Sequence, residues 1–142
     1  MTSSTLLLDR FKDTFRSLHG SDLSRLRRIY ADGIVYRDPV QEIRGLVGLE
    51  DYFTAMRTDL DECRYEFLDE LNGETSAYLK WNLHFRHPKP GGRLISVRGV
   101  SQLRLGEGIE FHEDFFDVGA MLHDQLPLLG NVTRWLRTRL AS

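Results

Sequence analysis

Between residues 63 and 117 the chain repeatedly alternates apolar and polar side chains, with turn-forming residues between the alternating stretches. Leu79, Trp81, Leu83 and Phe85 alternate with polar neighbours, and so does every second residue from Ile95 to Leu103. Asn72-Gly73 and residues 106–108 (Gly-Glu-Gly) are typical hairpin connections, which join antiparallel strands. The pattern therefore predicts a meander of long antiparallel strands over about 63–69, 79–86, 93–105 and 109–117.

Residues 5–60 show helical spacing instead. Apolar residues recur from Leu7 to Leu18 until Gly20, then from a cap at Ser21 to Tyr30, and again from Leu46 to Leu60. A short strand over 34–38 lies between the second and third helices, and residues 40–45 are expected to form a loop. Helices gathered before an antiparallel sheet indicate the α+β class. We expect a single domain over 1–142, with its core at about 5–118 and a helical segment at about 119–140.

Composition excludes several classes of partner. The net charge of −2 gives no electrostatic reason to expect nucleic acid or a membrane surface. Cys63 is the only cysteine, which excludes an internal disulfide and a cysteine-rich metal site. Leu6-Leu7-Leu8 is too short for a signal peptide and is followed at once by Asp9-Arg10. We expect a cytoplasmic protein.

No nucleotide-binding glycine motif, phosphate loop or nucleophile elbow occurs in the sequence. His84 and His87 have the closest spacing to a metal-binding pair. On a strand, however, residues three apart point to opposite faces, so the two imidazoles would not share one ion. We expect neither a metal nor another cofactor.

Asp38 ends the first predicted strand and precedes Pro39. Asp-Pro pairs commonly begin turns, so this carboxylate could simply cap the turn. At the end of a strand it could instead point into a cavity. The dipeptide alone is compatible with both interpretations.

His112 and Asp114 are two residues apart on the last predicted strand, so they share a face with Phe116. A histidine beside an aspartate on an enclosed surface is a possible general base with its orienting carboxylate. Alternatively this face is exposed, and Phe111 and Phe115 point inward. Periodicity does not choose between the faces because both carry phenylalanines.

The C-terminal segment is amphipathic and basic. Val132, Trp135, Leu136 and Leu140 form an apolar stripe beside three arginines, Arg134, Arg137 and Arg139. Such a helix either packs on its own domain with solvated arginines, which we favour, or binds a membrane or a partner.

The order of these elements, together with residues 29–39, Arg44-Gly45 and residues 101–105 before a glycine turn, resembles the nuclear transport factor 2-like superfamily. Within it, the similarity is to the SnoaL-like and ketosteroid isomerase-like branch, over about residues 5–118. This resemblance implies a cone-shaped half barrel. A curved, mixed and mostly antiparallel sheet would pack on N-terminal helices, with a C-terminal helix, and enclose one pocket.

The same resemblance assigns roles. Asp38 falls on the general base of the isomerases, and Asp114 lies where SnoaL-like cyclases carry an acid/base aspartate, with His112 beside it. The isomerase's oxyanion hole does not carry over, because its tyrosine falls near Thr14 or Phe15 here and its protonated aspartate falls on Ser101. Two close carboxylates would perturb one another's pKa values, so that an acid and a base could coexist. Tyr36 and Ser101 remain candidate oxyanion donors.

Two functional classes follow. The first is a cofactor-free isomerase, cyclase or dehydratase acting on a small apolar or aromatic carbonyl compound. The second is a non-catalytic ligand-binding or interaction module, as many members of this fold are, often as homodimers through the outer sheet face. The side chains of that face would be Asn82, His84, Arg86, Arg98 and Gln102, although solvent exposure explains them equally well.

The pocket would be lined by Tyr36, Asp38, Tyr52, Phe53, Trp81, Leu83, Phe85, Val97, Ser101, His112, Asp114 and Phe116.

Overall fold

The alternating stretches form four strands of a six-stranded sheet. The computed structural model describes residues 3–16, 18, 23–59, 61–86 and 92–119. Its helices are α1 (Ser3–Arg16), a 3₁₀ turn (Leu23–Arg25), α2 (Leu26–Ile29) and α3 (Leu46–Asp59). Its strands are β1 (Tyr30–Arg37), β2 (Glu42–Arg44), β3 (Asp61–Asn72), β4 (Ser76–Arg86), β5 (Leu94–Leu105) and β6 (Ile109–Phe116). None of the described helices is long and apolar enough to cross a membrane.

The strand order is β2-β1-β6-β5-β4-β3. Neighbouring strands are antiparallel except β1 and β6, which pair in parallel. The sheet is open because its two edge strands, β2 and β3, do not pair with each other. The predicted α+β class and the mixed, mostly antiparallel sheet are therefore confirmed.

The helices are held by apolar side chains at helical spacing. On α1, Phe11 and Phe15 are buried, and their rings pack against Phe67 and Tyr65 of β3. On α3, the buried Phe53 packs against Phe15. Burying each such side chain stabilises the fold by about 1.5–3 kcal/mol. One face of the sheet is thereby covered and becomes the interior.

Gly45 turns the chain from β2 into α3. Its φ of +92° lies in the left-handed region that favours glycine. In this conformation its N–H donates to the carbonyl of Ile34 at 2.8 Å, and its own carbonyl accepts from Leu49 in the first turn of α3. The glycine therefore fixes α3 against β1, the strand that carries Tyr36.

The boundaries differ from the sequence prediction in the first half. The second helix ends at Ile29, close to its predicted end near Tyr30, but β1 begins at Tyr30, four residues before the predicted strand over 34–38, and Tyr30 pairs with Ile109 of β6. The predicted loop over 40–45 contains β2, which pairs with β1. Tertiary pairing decides both differences, because neither short segment has a strong pattern of its own. The predictions for Gly20, Ser21, Leu60, His87 and residues 120–140 lie outside the described residues.

Candidate functional site

Polar side chains are buried at the centre of this aromatic core. Apart from Thr14, whose hydroxyl donates to the Arg10 carbonyl within α1 at 2.8 Å, they belong to one hydrogen-bonded group. We call this group the polar network; it consists of Tyr30, Tyr36, Asp38, Trp81, Ser101, His112 and Asp114. Buried polar groups are costly unless they are paired, and every member here has a partner.

A β-bulge turns His112 and Asp114 inward. Leu105 of β5 pairs with Ile109, but the next pair is Arg104 with Phe111, so β6 contains an extra residue at this point. The bulge changes the phase of the alternation, and Ile109, His112 and Asp114 are all buried. Phe115, in contrast, is 49% exposed. The alternative in which the histidine and aspartate face solvent is therefore wrong.

Asp114 is the point on which the network converges. Its Oδ1 lies 2.6 Å from Nε2 of His112 and accepts the hydroxyl of Ser101 at 2.5 Å. Its Oδ2 lies 3.2 Å from the phenol oxygen of Tyr36. Ser101 in turn accepts the indole N–H of Trp81 at 2.8 Å. The donors are thus arranged to hold a carboxylate at this position.

Tyr30 fixes the orientation of His112. Its phenol oxygen lies 2.7 Å from Nδ1, on the far side of the ring from Asp114. A neutral imidazole with its proton on Nε2 satisfies both contacts, since Nε2–H donates to Asp114 and Nδ1 accepts from Tyr30. Tyr30 is a site residue that the sequence did not reveal, because its contact with His112 depends on the pairing of β1 with β6.

Asp38 caps a turn and also reaches the network. Its Oδ1 accepts the backbone N–H groups of Val40 at 2.9 Å and Gln41 at 3.1 Å. Its Oδ2 accepts Nε2 of Gln41 at 3.1 Å and lies 3.1 Å from the Tyr36 phenol oxygen. Asp38 therefore caps the turn, as the first interpretation predicted, and its carboxylate contacts the polar network rather than an open cavity. The side chain is buried one residue beyond the end of β1.

The surroundings favour uncharged forms of most of these groups. Burial raises the pKa of Asp38, the hydrogen bond from Val40 N–H opposes this, and the charge of Asp114 adds to the increase. Burial also raises the pKa values of Tyr30 and Tyr36 well above the ordinary value, so both phenols stay protonated donors. The pKa of the buried Cys63 thiol is raised to about 12 by burial.

A narrow gap between side chains lies beside Asp114 and has no room for a water molecule. We call it the aromatic void. Four residues predicted to line a pocket are at its wall: Trp81, Ser101, His112 and Asp114. The remaining wall was not predicted and consists of Phe11, Phe15, Tyr65 and Phe67. Their apolar periodicity in α1 and β3 was the available signal.

The other predicted pocket residues do not line the aromatic void. Leu83, Phe85 and Val97 are buried in the hydrophobic core, and so is Phe53 on α3. Tyr52 packs on Tyr36 with ring centroids 5.5 Å apart, and Phe116 packs at the margin of the core. Tyr36 reaches the void wall through its contacts with Asp114 and with the ring of His112, and Asp38 reaches it only through Tyr36. Within the described ranges, no group of three potential ligand side chains could hold a metal ion.

Comparison with known proteins identifies the class. The solved structures that match this chain share the cone-like α+β fold of the nuclear transport factor 2 class. Residues 11–109 match the family model of the SnoaL-like domain. The chain belongs to the SnoaL-like family. None of the curated proteins compared with it matches in sequence.

Three of the similar structures illustrate the range of the class. A protein from Shewanella putrefaciens, assigned to the SnoaL-like polyketide cyclases, is 18% identical with a TM-score of 0.73, covering 88% of this chain and 97% of that one. A protein with a ketosteroid isomerase-like fold from Catenulispora acidiphila, in complex with trimethylamine, is 12% identical with a TM-score of 0.74, covering 88% of this chain and 96% of that one. The epoxide hydrolase/cyclase-like enzyme SalBIII, of salinomycin pyran ring formation, is 16% identical with a TM-score of 0.69, covering 82% and 95%.

Proposed function

We propose that this protein binds a small, apolar or aromatic carbonyl compound on the inner face of its sheet. It moves a proton on that compound by carboxylate acid–base chemistry, as an isomerase, cyclase or dehydratase does. The observation that carries this proposal is the convergence of His112, Ser101 and Tyr36 on Asp114, beside a void walled by aromatic rings. An apolar site with a few convergent polar groups is the usual form of a small-molecule site.

Asp114 is the general base of the proposed reaction because its carboxylate borders the aromatic void. His112 holds that carboxylate in one orientation through Nε2–H and is itself held by Tyr30. Ser101 lines the same void and donates its hydroxyl to Asp114 while Asp114 is a carboxylate. Once Asp114 has taken the substrate proton, this hydroxyl can turn to an oxyanion formed in the void. Asp38 is the second carboxylate and acts through Tyr36.

Ligand entry requires the aromatic void to widen, since it does not admit water at present. The wall contributed by α1 consists of Phe11 and Phe15, which pack on Phe67 and Tyr65 of β3. At the surface, Lys12 of α1 also pairs with Glu70 of β3 at 2.6 Å, and this ion pair would have to stretch or break when α1 moves. An outward movement of α1 would open the void without breaking the polar network, because α1 supplies none of its members. We place the entrance between α1 and β3.

The relatives support this proposal only through the shared fold. One similar structure holds trimethylamine, and another is a cyclase-like enzyme of pyran ring formation. Those are properties of proteins 12% and 16% identical to this chain. They make small-molecule binding and ring-forming chemistry reasonable expectations for the class, whereas the residues that would act here are argued from the network alone.

Hydrogen–deuterium exchange tests the proposal without knowledge of the natural substrate. The purified protein is incubated with 2-tetralone or acetophenone in D₂O, and loss of the proton next to the carbonyl is followed by NMR. We expect Asp114→Asn to slow the catalysed exchange by about 100-fold or more. Asp32→Asn, at an exposed position in β1, is the matched control and should exchange at the wild-type rate. Exchange no faster than in buffer, or equally fast in Asp114→Asn, would contradict the proposal.

A second candidate is a non-catalytic binding or interaction module. The specific observation in its favour is the close filling of the interior, where Phe11, Phe15 and Trp81 are almost completely buried around the void. In this alternative the polar network only fixes the sheet, and the outer face mediates a homodimer. That face carries exposed apolar side chains at Tyr78 and Phe115 among polar neighbours. Absence of exchange activity in a stable dimer would favour this candidate.

A further inference from the structure

Tyr36 lies between two buried carboxylates. Its phenol oxygen is 3.1 Å from Oδ2 of Asp38 and 3.2 Å from Oδ2 of Asp114. Each of these oxygen–oxygen contacts needs a proton to be a hydrogen bond, and the phenol supplies only one. One phenol proton can be divided between the two contacts, but it would then face two buried negative charges. A second proton on one of the two carboxyl groups would complete both hydrogen bonds and remove one of those charges.

We propose that Asp38, Tyr36 and Asp114 share this single additional proton, and that Tyr36 relays it between the two carboxyl groups. The remainder of the network does not supply it. The hydroxyl of Tyr30 is used by Nδ1 of His112, and Nε2–H of His112 is used by Asp114. The hydroxyl of Ser101 is likewise used by Asp114.

The hydrogen bonds around Asp38 suit its protonated form. In its acid form, the carbonyl oxygen Oδ1 still accepts the N–H groups of Val40 and Gln41, while Oδ2–H donates to Tyr36. Tyr36 then donates to Asp114, which remains a carboxylate with three donors. Every contact in the network is satisfied in this arrangement. The rise in the pKa of Asp38 caused by its burial is consistent with it.

The titratable side chains that face Asp38 and Asp114 place no positive charge beside Asp38. These side chains are Tyr30 of β1, His112 of β6, Tyr52 of α3, and Tyr65 and Cys63 of β3. Burial raises the pKa values of the phenols and of the thiol, so these groups are neutral. Among these neighbours only His112 can carry a positive charge, and it contacts Asp114 rather than Asp38, so an ionised Asp38 would have no cation beside it.

The relay gives the pair a role in turnover, which rests on the proposed function. Asp114 accepts a proton from the carbon next to the substrate carbonyl and becomes a carboxylic acid. Before this step Tyr36 has relayed the shared proton to Asp38, which leaves Asp114 ionised and able to act as the base. After it, the pair holds two protons, the shared one on Asp38 and the substrate's on Asp114. Asp114 then returns its proton to the product, so the resting state is restored with no net gain or loss of protons.

Carbon-13 NMR of labelled aspartate carboxyl groups tests the shared proton in the ligand-free protein. The titration runs from about pH 3 to about pH 9, and Asp38→Asn and Asp114→Asn assign the two signals. We expect one step above the ordinary aspartate range, registered at both carboxyl carbons. In Asp114→Asn the midpoint of Asp38 should fall, since its proton no longer has a second carboxylate to bind it.

Tyr36→Phe separates the relay from simple electrostatic coupling. Without the phenol, the carboxyl signals of Asp38 and Asp114 should no longer change together at the same pH. Tyr78→Phe, at an exposed tyrosine on the outer face, should leave their joint titration step unchanged. A step confined to one carboxyl group, or an Asp38 midpoint unchanged in Asp114→Asn, would overturn the proposal. Joint titration without 2-tetralone exchange would leave the shared proton standing and refute only the proposed function.

Discussion

The indole of Trp81 lies directly over Gly99, its partner across β4 and β5, and occupies the space that a side chain on residue 99 would need. The absence of a Cβ lets the ring lie against the sheet with Nε1 aimed at Ser101, 2.8 Å away. Ser101 donates in turn to Asp114. Gly99 therefore determines the position of the donor that orients the proposed base.

Gly99→Ala should consequently be a destabilising substitution. The new methyl group would overlap the Trp81 ring, and overpacking of this kind costs about 1–3 kcal/mol. The free energy of unfolding in urea measures the effect. Gly33→Ala is the matched control, because a Cβ at residue 33 meets no atom within 4 Å and should change stability by less than about 0.5 kcal/mol. Equal stability of the two variants would contradict the assigned packing.

Tyr30→Phe should destabilise the protein while retaining nearly all of its packing. The substitution leaves Nδ1 of His112 without a donor in a buried site, at a cost of about 1–3 kcal/mol. Urea denaturation measures the loss, with Tyr78→Phe at a 44% exposed position as the control. Nitrogen-15 NMR should also show a shift of the Nδ1 resonance of His112 in Tyr30→Phe, since Nδ1 loses its hydrogen bond while Nε2–H still donates to Asp114. An unaltered imidazole spectrum would show that Tyr30 does not orient the ring.

Asp38→Asn should change how stability depends on pH. The folded pKa of Asp38 lies above its ordinary value of 3.8, so between these two values the folded protein binds more protons than the unfolded chain. The free energy of unfolding of the wild type therefore falls as pH rises through this window. The side chain of Asp38→Asn does not titrate, so the variant does not lose stability in this way. The free energy of unfolding of the variant, minus that of the wild type, should therefore increase with pH. Denaturation at a series of pH values tests the sign.

Glu42→Gln, measured at the same series of pH values, should change stability with pH in the opposite direction. The hydrogen bond from Arg37 lowers the pKa of Glu42. The stability contributed by Glu42 is therefore present above its ordinary pKa and lost as pH falls, and solvent screening keeps it small. Relative to the wild type, Glu42→Gln should lose stability as pH rises. If the stabilities of Asp38→Asn and Glu42→Gln relative to the wild type changed with pH in the same direction, the raised pKa of Asp38 would be contradicted.

Phe67→Ala should enlarge the aromatic void and strengthen the binding of 2-tetralone. Phe67 lines the void on β3, whereas its neighbour Leu68 is 45% exposed. Leu68→Ala is accordingly the control with an unaltered void. Titration of 2-tetralone, followed by tryptophan fluorescence, compares the two. Equal affinity in both variants would place the ligand elsewhere in the protein.

The proposed homodimer is tested at Phe115. This residue is exposed on the outer face and pairs with Val100 of β5. Phe115→Glu should shift a dimer towards monomer in sedimentation velocity, since a charge would be buried at the interface. Glu110→Gln, at an exposed site on the same strand, should leave the dimer intact. A wild type that sediments as a monomer would remove this surface from consideration.

The fold was predictable to a large extent because period-two alternation is strong in β4 and β5, where Leu79, Trp81 and Val97 all face inward as expected. The site was less predictable. In β6 the bulge after Ile109 changes the inward phase, and a bulge depends on the neighbouring strand rather than on local residue type. Tyr30 was assigned to a helix because its pairing partner lies far away in the sequence.

The parallel pairing of β1 with β6 joins the first long strand to the last. Tyr30 and His112 are separated by 82 positions, and Tyr36 and Asp114 by 78. Closing so long a loop is slow, so this pairing forms after the local hairpins. During synthesis, Tyr30, Tyr36 and Asp38 leave the ribosome long before the partners that will bind them. Their hydroxyl and carboxyl groups keep their water until β6 joins the sheet, which makes dehydration of the network and completion of the sheet a single event in folding.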